Sequence, residues 1–127
     1  MGISLDFQHF DIELAALPGD YIQPDGCLLI ALYEEQVAGC VALRRFDVGI
    51  CEMKRLYVRP QYRGKKIGKL LTEYVIHYAT STGYRRMRLD TLPNLDKALA
   101  LYKSLGFKRI AAYRDYELDA IFMELKL

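Results

Sequence analysis

Four basic side chains crowd the start of a predicted helix, within the stretch RPQYRGKKIGKLL at positions 59–71. They are Arg63, Lys65, Lys66 and Lys69. A helix N-terminus already carries roughly half a positive charge, so each of these cations costs about 0.3–1 kcal/mol unless an anion offsets it. The cluster therefore predicts a bound anion.

The same turn has the features of a phosphate site. Gly64 and Gly68 let the backbone approach a ligand without an intervening Cβ. The first N–H groups of the helix and its dipole would face the anion. Two common phosphate motifs are excluded. The P-loop, GxxxxGK[ST], does not fit because Gly64 and Gly68 are one residue too close and Leu70 stands where a serine or threonine is required. The dinucleotide-binding motif GxGxxG is absent.

Strands are predicted on both sides of the turn, where apolar runs are short or alternate with polar residues. They cover residues 27–33, 37–46, 50–58, 84–92, 107–113 and 120–127. The first two flank a polar turn and predict a hairpin. Residues 1–26 are weakly patterned, and a short helix is favoured there by the apolar residues Phe10, Ile12, Leu14 and Leu17.

Two helices are predicted from apolar residues at helical spacing. The first begins near Ile67 and ends at Gly83, with Thr72 on its polar side. The second is capped by Asn94 and ends at Gly106. This order of elements predicts one α/β (α+β) domain over residues 1–127, with a mixed, mostly antiparallel sheet and one parallel β-α-β unit.

The turn resembles the acetyl-coenzyme A loop of the GCN5-related N-acetyltransferase (GNAT) family. That loop is usually written [QR]-x-x-G-x-[GA], and residues 63–68 read RGKKIG, with Lys66 in place of the first motif glycine. The later runs ALALYKSLGF at 98–107 and FMEL at 122–125 are also similar to the family. The resemblance implies a GNAT-like fold with a short N-terminal part.

The resemblance also implies an activity, the direct transfer of the acetyl group of acetyl-CoA, as co-substrate, to a primary amine. Such transfer needs a base for the ammonium and an acid for the leaving thiolate. Glu52 is the candidate base, directly or through water; alternatively it is a strand carboxylate paired with Lys54 or a neighbouring arginine. Tyr102 is the candidate acid; alternatively it is a core tyrosine.

The expected acetyl-CoA site combines the strand before the turn, the turn itself and a residue before the second helix. Its residues are Leu56, Tyr57, Val58, Arg63, Gly64, Lys65, Lys66, Ile67, Gly68, Lys69 and Asn94. Main-chain groups of Leu56 and Val58 would bind the pantetheine arm as an added strand, or serve only in sheet pairing. Asn94 would contact the same arm or only cap its helix.

The acceptor is expected to be a small-molecule or peptide amine. Acidic and aromatic residues in loops and at strand ends would suit a cation, including by cation–π contact. The candidates are Asp20, Tyr21, Asp90, Tyr113, Asp115 and Tyr116. For most of them an ordinary surface role is the favoured interpretation.

Composition limits the other functions. The 127 residues, 52% of them hydrophobic, can bury a core without a disulfide or a metal. A net charge of +2 and the lack of an apolar span argue against nucleic-acid and membrane partners and favour the cytoplasm. Cys27, Cys40 and Cys51 are expected to be buried free thiols, and His77 a surface residue.

Two other functional classes remain open. One is a non-catalytic acyl-CoA-binding or sensor domain on the same fold. The other is a small nucleic-acid-binding domain that uses the basic turn, against which the net charge of +2 argues. A homodimer is compatible with either enzyme or sensor.

Overall fold

Eight strands form one sheet, and two α-helices lie beside it in a computed structural model that describes residues 2–4, 10–15, 26–114 and 119–127. The strands are β1 (Gly2–Ser4), β2 (Phe10–Ala15), β3 (Cys27–Tyr33), β4 (Gln36–Asp47), β5 (Ile50–Val58), β6 (Arg86–Thr91), β7 (Lys108–Ile110) and β8 (Ile121–Lys126). The helices are α1 (Ile67–Thr82) and α2 (Asp96–Ser104), and a single 3₁₀ turn, Pro60–Tyr62, precedes α1.

The sheet order is β1-β2-β3-β4-β5-β6-β8-β7. Every neighbouring pair is antiparallel except β5 and β6, which are parallel and are joined through α1. The predicted mixed sheet with one parallel β-α-β unit is therefore confirmed. The predicted hairpin is also present, as β3 and β4 joined through Glu34 and Glu35 at φ 49° and 70°.

The N-terminal segment corrects one prediction, because Phe10–Ala15 is a strand and not a helix. Its residues alternate, so that Ile12 is buried while Asp11 and Glu13 are exposed. Pairing with β3 decides between a helical and a strand period, because a strand there extends the sheet and places Ile12 in the core. Leu17 lies outside the described residues.

Helix α1 packs against β3, β4 and β5 through a stripe of every fourth residue. Its buried residues are Ile67, Leu71, Thr72, Val75 and Ala79. The placement of Thr72 on the polar side was wrong. Its hydroxyl donates to the Gly68 carbonyl at 2.7 Å, so the side chain is buried without an unsatisfied polar atom.

The helix ends are mostly as predicted. Gly83 ends α1 and Gly106 follows α2, at φ 105° and 100°, where a side chain would be strained. The expected cap at Asn94 was wrong. The Leu95 amide donates to the Leu92 carbonyl and closes a turn, so α2 begins one residue later than predicted. Leu95 therefore occupies the N-cap position, and its side chain makes no capping hydrogen bond.

The strand predicted over 107–113 is shorter in the structure, where β7 covers only Lys108–Ile110. The chain bends at Tyr113 and Arg114, which fold over the sheet and contact Glu52. Those contacts replace strand pairing and end β7. Strands β6 and β8 match their predicted ranges, 84–92 and 120–127, apart from the ends.

Burial agrees with most of the expectations for single residues. Cys27 and Cys51 are buried, Cys40 is half-buried, and all three are free thiols. His77 is exposed on α1. Among the described residues, every helix is too short or too polar to cross a lipid bilayer.

Candidate functional site

The sheet opens between its two parallel strands. Strands β5 and β6 pair only from Ile50 with Arg86 to Glu52 with Arg88, whereas β6 goes on pairing with β8 as far as Thr91. Within the described chain, the edge of β5 beyond Glu52 therefore faces no strand. Such an edge presents backbone N–H and C=O groups that an extended ligand can pair with.

A bulge in β5 changes which side chains face this opening. Cys40 and Ala42 on β4 pair with Tyr57 and Lys54, so β5 carries one extra residue between the two pairs. Arg55 lies in this extra stretch with φ 60°. A bulge of this kind shifts the alternation of side chains by one position.

Gly39 allows the closest approach of β4 to the open strand. A Cβ at this position would lie 2.5 Å from the Tyr57 carbonyl oxygen and 3.3 Å from the Val58 Cα. Both atoms belong to the backbone, which cannot move aside without breaking the pairing. The sequence analysis missed this residue, since a glycine inside a strand shows nothing of the backbone it will face.

A pocket of about 800 Å³ lies beside the open edge. It is bounded by the end of β5, the start of α1 and the start of α2. Its lining residues are Leu56, Tyr57, Val58, Tyr62, Arg63, Gly64, Lys66, Ile67, Gly68, Asn94, Leu95, Asp96, Lys97 and Ala98. Tyr62 and the residues from Leu95 to Ala98 were not among the predicted contacts. The signals were that Tyr62 directly precedes Arg63 and that Leu95 directly follows Asn94.

The structure brings most of the predicted acetyl-CoA residues to this pocket, and two lie outside its lining. The Lys65 ammonium lies over the Tyr33 ring, 5.5 Å from its centroid. Lys69 is exposed on α1. Arg63 lines the pocket, but its Nε donates to the Val58 carbonyl at 3.2 Å and so ties the loop to β5.

The start of α1 has an unusual backbone. Lys66, which replaces the motif glycine, is the residue before the helix and has φ 63° and ψ 22°, in the left-handed region. The first helical bond runs from the Leu70 amide to the Lys66 carbonyl at 3.1 Å. The amides of the first turn, at positions 67–69, therefore have no acceptor within the helix and can donate to an anion.

Tyr102 lies in the core of the molecule, on α2. Its side chain is 6% exposed and its ring packs edge-on against Phe107 with centroids 5.8 Å apart. Burial, and to a smaller extent the negative charge of Asp90, raise the pKa of Tyr102 to about 12. The phenol therefore carries its proton at neutral pH and can donate it.

Glu52 is fully buried and lies in a network of charged groups. Its Oε1 accepts from Arg44 at 2.8 and 3.0 Å, and its Oε2 accepts from Arg114 at 2.6 Å and from the Tyr113 hydroxyl at 2.8 Å. The Lys54 ammonium lies 3.6 Å from Oε2. The alternative interpretation, in which Glu52 pairs with Lys54 or a neighbouring arginine, is thus present through Lys54 and Arg44. Tyr113 and Arg114 are two further partners that were not expected.

The Tyr113 hydroxyl is held by this network. Burial raises the pKa of Tyr113 well above its usual value, and the hydrogen bond to Glu52 and the charge of Glu52 add to that increase. Of the acceptor candidates, Asp90 and Tyr113 lie next to Glu52 on one face of the sheet. Asp20, Tyr21, Asp115 and Tyr116 lie outside the described residues.

An opened parallel pair whose free edge leads into a pocket at a basic helix start fits the class of acyl-coenzyme A-dependent transferases, and Tyr102 lies outside the lining of that pocket. The chain belongs to the acetyltransferase (GNAT) family, whose model matches residues 4–107. The resemblance inferred from the loop is thereby confirmed.

Individual relatives agree with this assignment. An uncharacterized N-acetyltransferase of Schizosaccharomyces pombe is 45% identical over 129 residues, which cover 99% of this chain and 79% of that protein. N-acetylaspartate synthetase of Danio rerio is 36% identical over 86% of this chain and 39% of its own length. A putative acetyltransferase of Salmonella typhimurium, solved with its cofactor acetyl-CoA, superimposes with a TM-score of 0.69 at 26% identity, over 80% of this chain and 64% of that one.

Proposed function

We propose that this chain transfers the acetyl group of acetyl-CoA to a primary amine, with the pocket beside β5 holding the co-substrate. One observation carries the proposal: the unpaired edge of β5 leads directly into a pocket closed by the basic start of α1. The Salmonella structure, which contains acetyl-CoA, supports the choice of co-substrate. The pocket residues fit such a ligand, since phosphates suit the free amides of α1 and an extended arm suits the strand edge.

The loop and the strand divide the binding between them. Lys66 and the first-turn amides of α1 neutralise phosphate charge, and a Cβ added at Gly64 would meet no heavy atom within 4 Å, so that side of the loop is open. Leu56 and Val58 supply the main-chain edge along the pantetheine arm. The role of the arm is to hold the thioester in attack geometry at the point where β5 and β6 part.

Tyr102 is the proposed general acid. As the amine nitrogen bonds to the carbonyl carbon, the carbon–sulfur bond breaks and the Tyr102 hydroxyl gives its proton to the departing sulfur. With a pKa of about 12, the phenol is protonated at neutral pH before the reaction begins. The nitrogen releases its remaining excess proton to solvent as the amide forms, and the tyrosinate takes a proton back from solvent.

Glu52 is the proposed base for the ammonium of the acceptor. It would take the proton directly or through an intervening water, and its carboxylate is fully buried among Arg44, Arg114 and Tyr113. The surrounding arginines and Tyr113 fix the carboxylate in one orientation. N-acetylaspartate synthetase among the relatives makes amino acids the first acceptors to test.

The proposal is tested by measuring thiol release from acetyl-CoA with a panel of amines, beside calorimetric titration of acetyl-CoA alone. Tyr102→Phe should keep acetyl-CoA affinity and the KM of the amine while kcat falls about 10²- to 10⁴-fold. Tyr74→Phe is the matched control, since it removes a partly buried phenol elsewhere on the core and should leave kcat unchanged.

The outcomes separate the open classes. Absence of acetyl-CoA binding at moderate salt would overturn the proposal. Binding without turnover of any amine would instead favour the non-catalytic sensor. Undiminished kcat in Tyr102→Phe would remove Tyr102 as the acid and leave the transfer reaction standing.

A further inference from the structure

The face of the sheet opposite the helices carries a charged cluster that the acetyl-CoA pocket does not use. We call it the arginine face. Its linked cations are Arg44, Lys54, Arg86, Arg88 and Arg114, and its linked carboxylates are Glu52, Asp90 and Glu124. Each of the three carboxylates is shared by more than one of these cations.

The arginine face lies where the acceptor has to arrive. Glu52 and Arg88 form the last pair before β5 and β6 separate. Leu56 and Val58 line the pocket beyond that point, so a thioester carried along β5 would stand beside this pair. The helices cover the other face, where Cys51 and Met53 are part of the core, and the acceptor therefore approaches from the side of Glu52.

Two guanidinium groups converge on one aromatic pair at this point. The Arg88 guanidinium lies 5.3 Å from the Phe46 centroid and 5.2 Å from that of Tyr113, and the Arg114 guanidinium lies 5.8 and 5.0 Å from the same rings. The two rings pack edge-on with centroids 5.0 Å apart. Stacked guanidinium groups keep their N–H donors at their rims, where carboxylates bind.

Arg88 has donors to spare. Its Nε donates to Glu124 at 2.8 Å, and no other of its N–H groups has a partner among the described residues. An arginine has five such donors. Its side chain is 20% exposed, so a ligand on the arginine face can reach it.

We propose that the acceptor amine carries a carboxylate and that Arg88 binds that carboxylate, an inference that rests on the proposed function. The ammonium of the same molecule then lies toward Asp90, whose carboxylate is 20% exposed on the same face. The arginine face thus suits a zwitterion of the α-amino acid type, whose carboxylate and ammonium bind to two neighbouring parts of this face. A carboxylate-free amine would offer no charged acceptor to the spare Arg88 donors.

The first test uses the unmodified protein. Thiol release is measured with aspartate, glutamate and alanine, and with their derivatives in which one carboxylate is a carboxamide. The carboxylate forms should have kcat/KM about ten- to a hundredfold higher, as expected for one charge-assisted bond, with the difference mainly in KM. Equal kcat/KM for acids and amides would overturn the inference and leave the acetyltransferase proposal intact.

The second test uses matched arginine variants. Arg88→Gln should reduce the preference for the carboxylate forms about tenfold or more while the KM of acetyl-CoA is unchanged. Arg86→Gln is the control, because Arg86 contacts the same Glu124 at 3.7 Å but is 54% exposed and lies at the start of β6. An undiminished preference in Arg88→Gln would overturn the assignment of Arg88. No turnover with any amine would remove the proposed function and this inference with it.

Discussion

Replacing Lys66 tests whether the left-handed start of α1 is strained. For a residue with a Cβ, this conformation costs about 1–2 kcal/mol, and glycine avoids that cost. Glycine also loses about 0.5–1 kcal/mol relative to alanine through chain entropy. With φ 63° at Lys66, the balance favours glycine over alanine by about 0.5–1 kcal/mol in the free energy of unfolding.

The comparison is therefore Lys66→Gly against Lys66→Ala, since both variants lose the same charge and differ only in the Cβ. Thermal unfolding without ligand should show Lys66→Gly to be the more stable, with a Tm about 2–5 °C higher. The control pair is Lys65→Gly and Lys65→Ala, because Lys65 lies outside the left-handed region and glycine should there be the less stable. If alanine is as stable as glycine at position 66, the strain argument is refuted.

Three further predictions concern the interior. Gly39→Ala places a Cβ 2.5 Å from the Tyr57 carbonyl oxygen, so it should lower the free energy of unfolding by about 1–3 kcal/mol, as measured by urea unfolding. It should also weaken acetyl-CoA binding, as measured by calorimetry. An unchanged unfolding midpoint would contradict the close approach of the two strands. Burial raises the pKa of Cys27 and of Cys51 to about 12, so a thiol reagent at pH 8 should modify neither until urea unfolds the chain. Between about pH 9 and 12 the folded thiols keep protons that the unfolded thiols lose. Their contribution to the free energy of unfolding is therefore complete below about pH 9 and should be lost across that range. A urea unfolding midpoint that does not change with pH there would contradict the burial of the two thiols.

Local sequence patterns could predict the elements next to the site. The apolar spacing of α1, the glycines that end both helices and the hairpin of β3 and β4 are determined by residues close together in the chain. The error at Phe10–Ala15 arose because Phe10, Leu14 and Leu17 fit a helical period, while Ile12 with its acidic neighbours fits a strand. The neighbouring strands β1 and β3 decide between the two.

The surroundings of Glu52 could not be predicted in the same way. Arg44 lies eight positions away and was within reach of a hairpin argument, but Tyr113 and Arg114 lie 61 and 62 positions away. They reach Glu52 because β7 ends early and the chain bends over the sheet. No local pattern signals that bend, and the sequence instead predicted an uninterrupted strand over 107–113.

The bulge at Arg55 explains how one strand serves two sites. In a regular strand, alternate residues share a face, so positions 52, 54, 56 and 58 would all lie on the same side of the sheet. Instead Glu52 and Lys54 lie on the arginine face, while Leu56 and Val58 pack against the core and line the pocket. The extra residue reverses the alternation between the two pairs. Because of it, one strand presents Glu52 on the arginine face and its free edge to the pocket. In the proposed reaction, the acceptor and acetyl-CoA would therefore meet from opposite faces where β5 and β6 part.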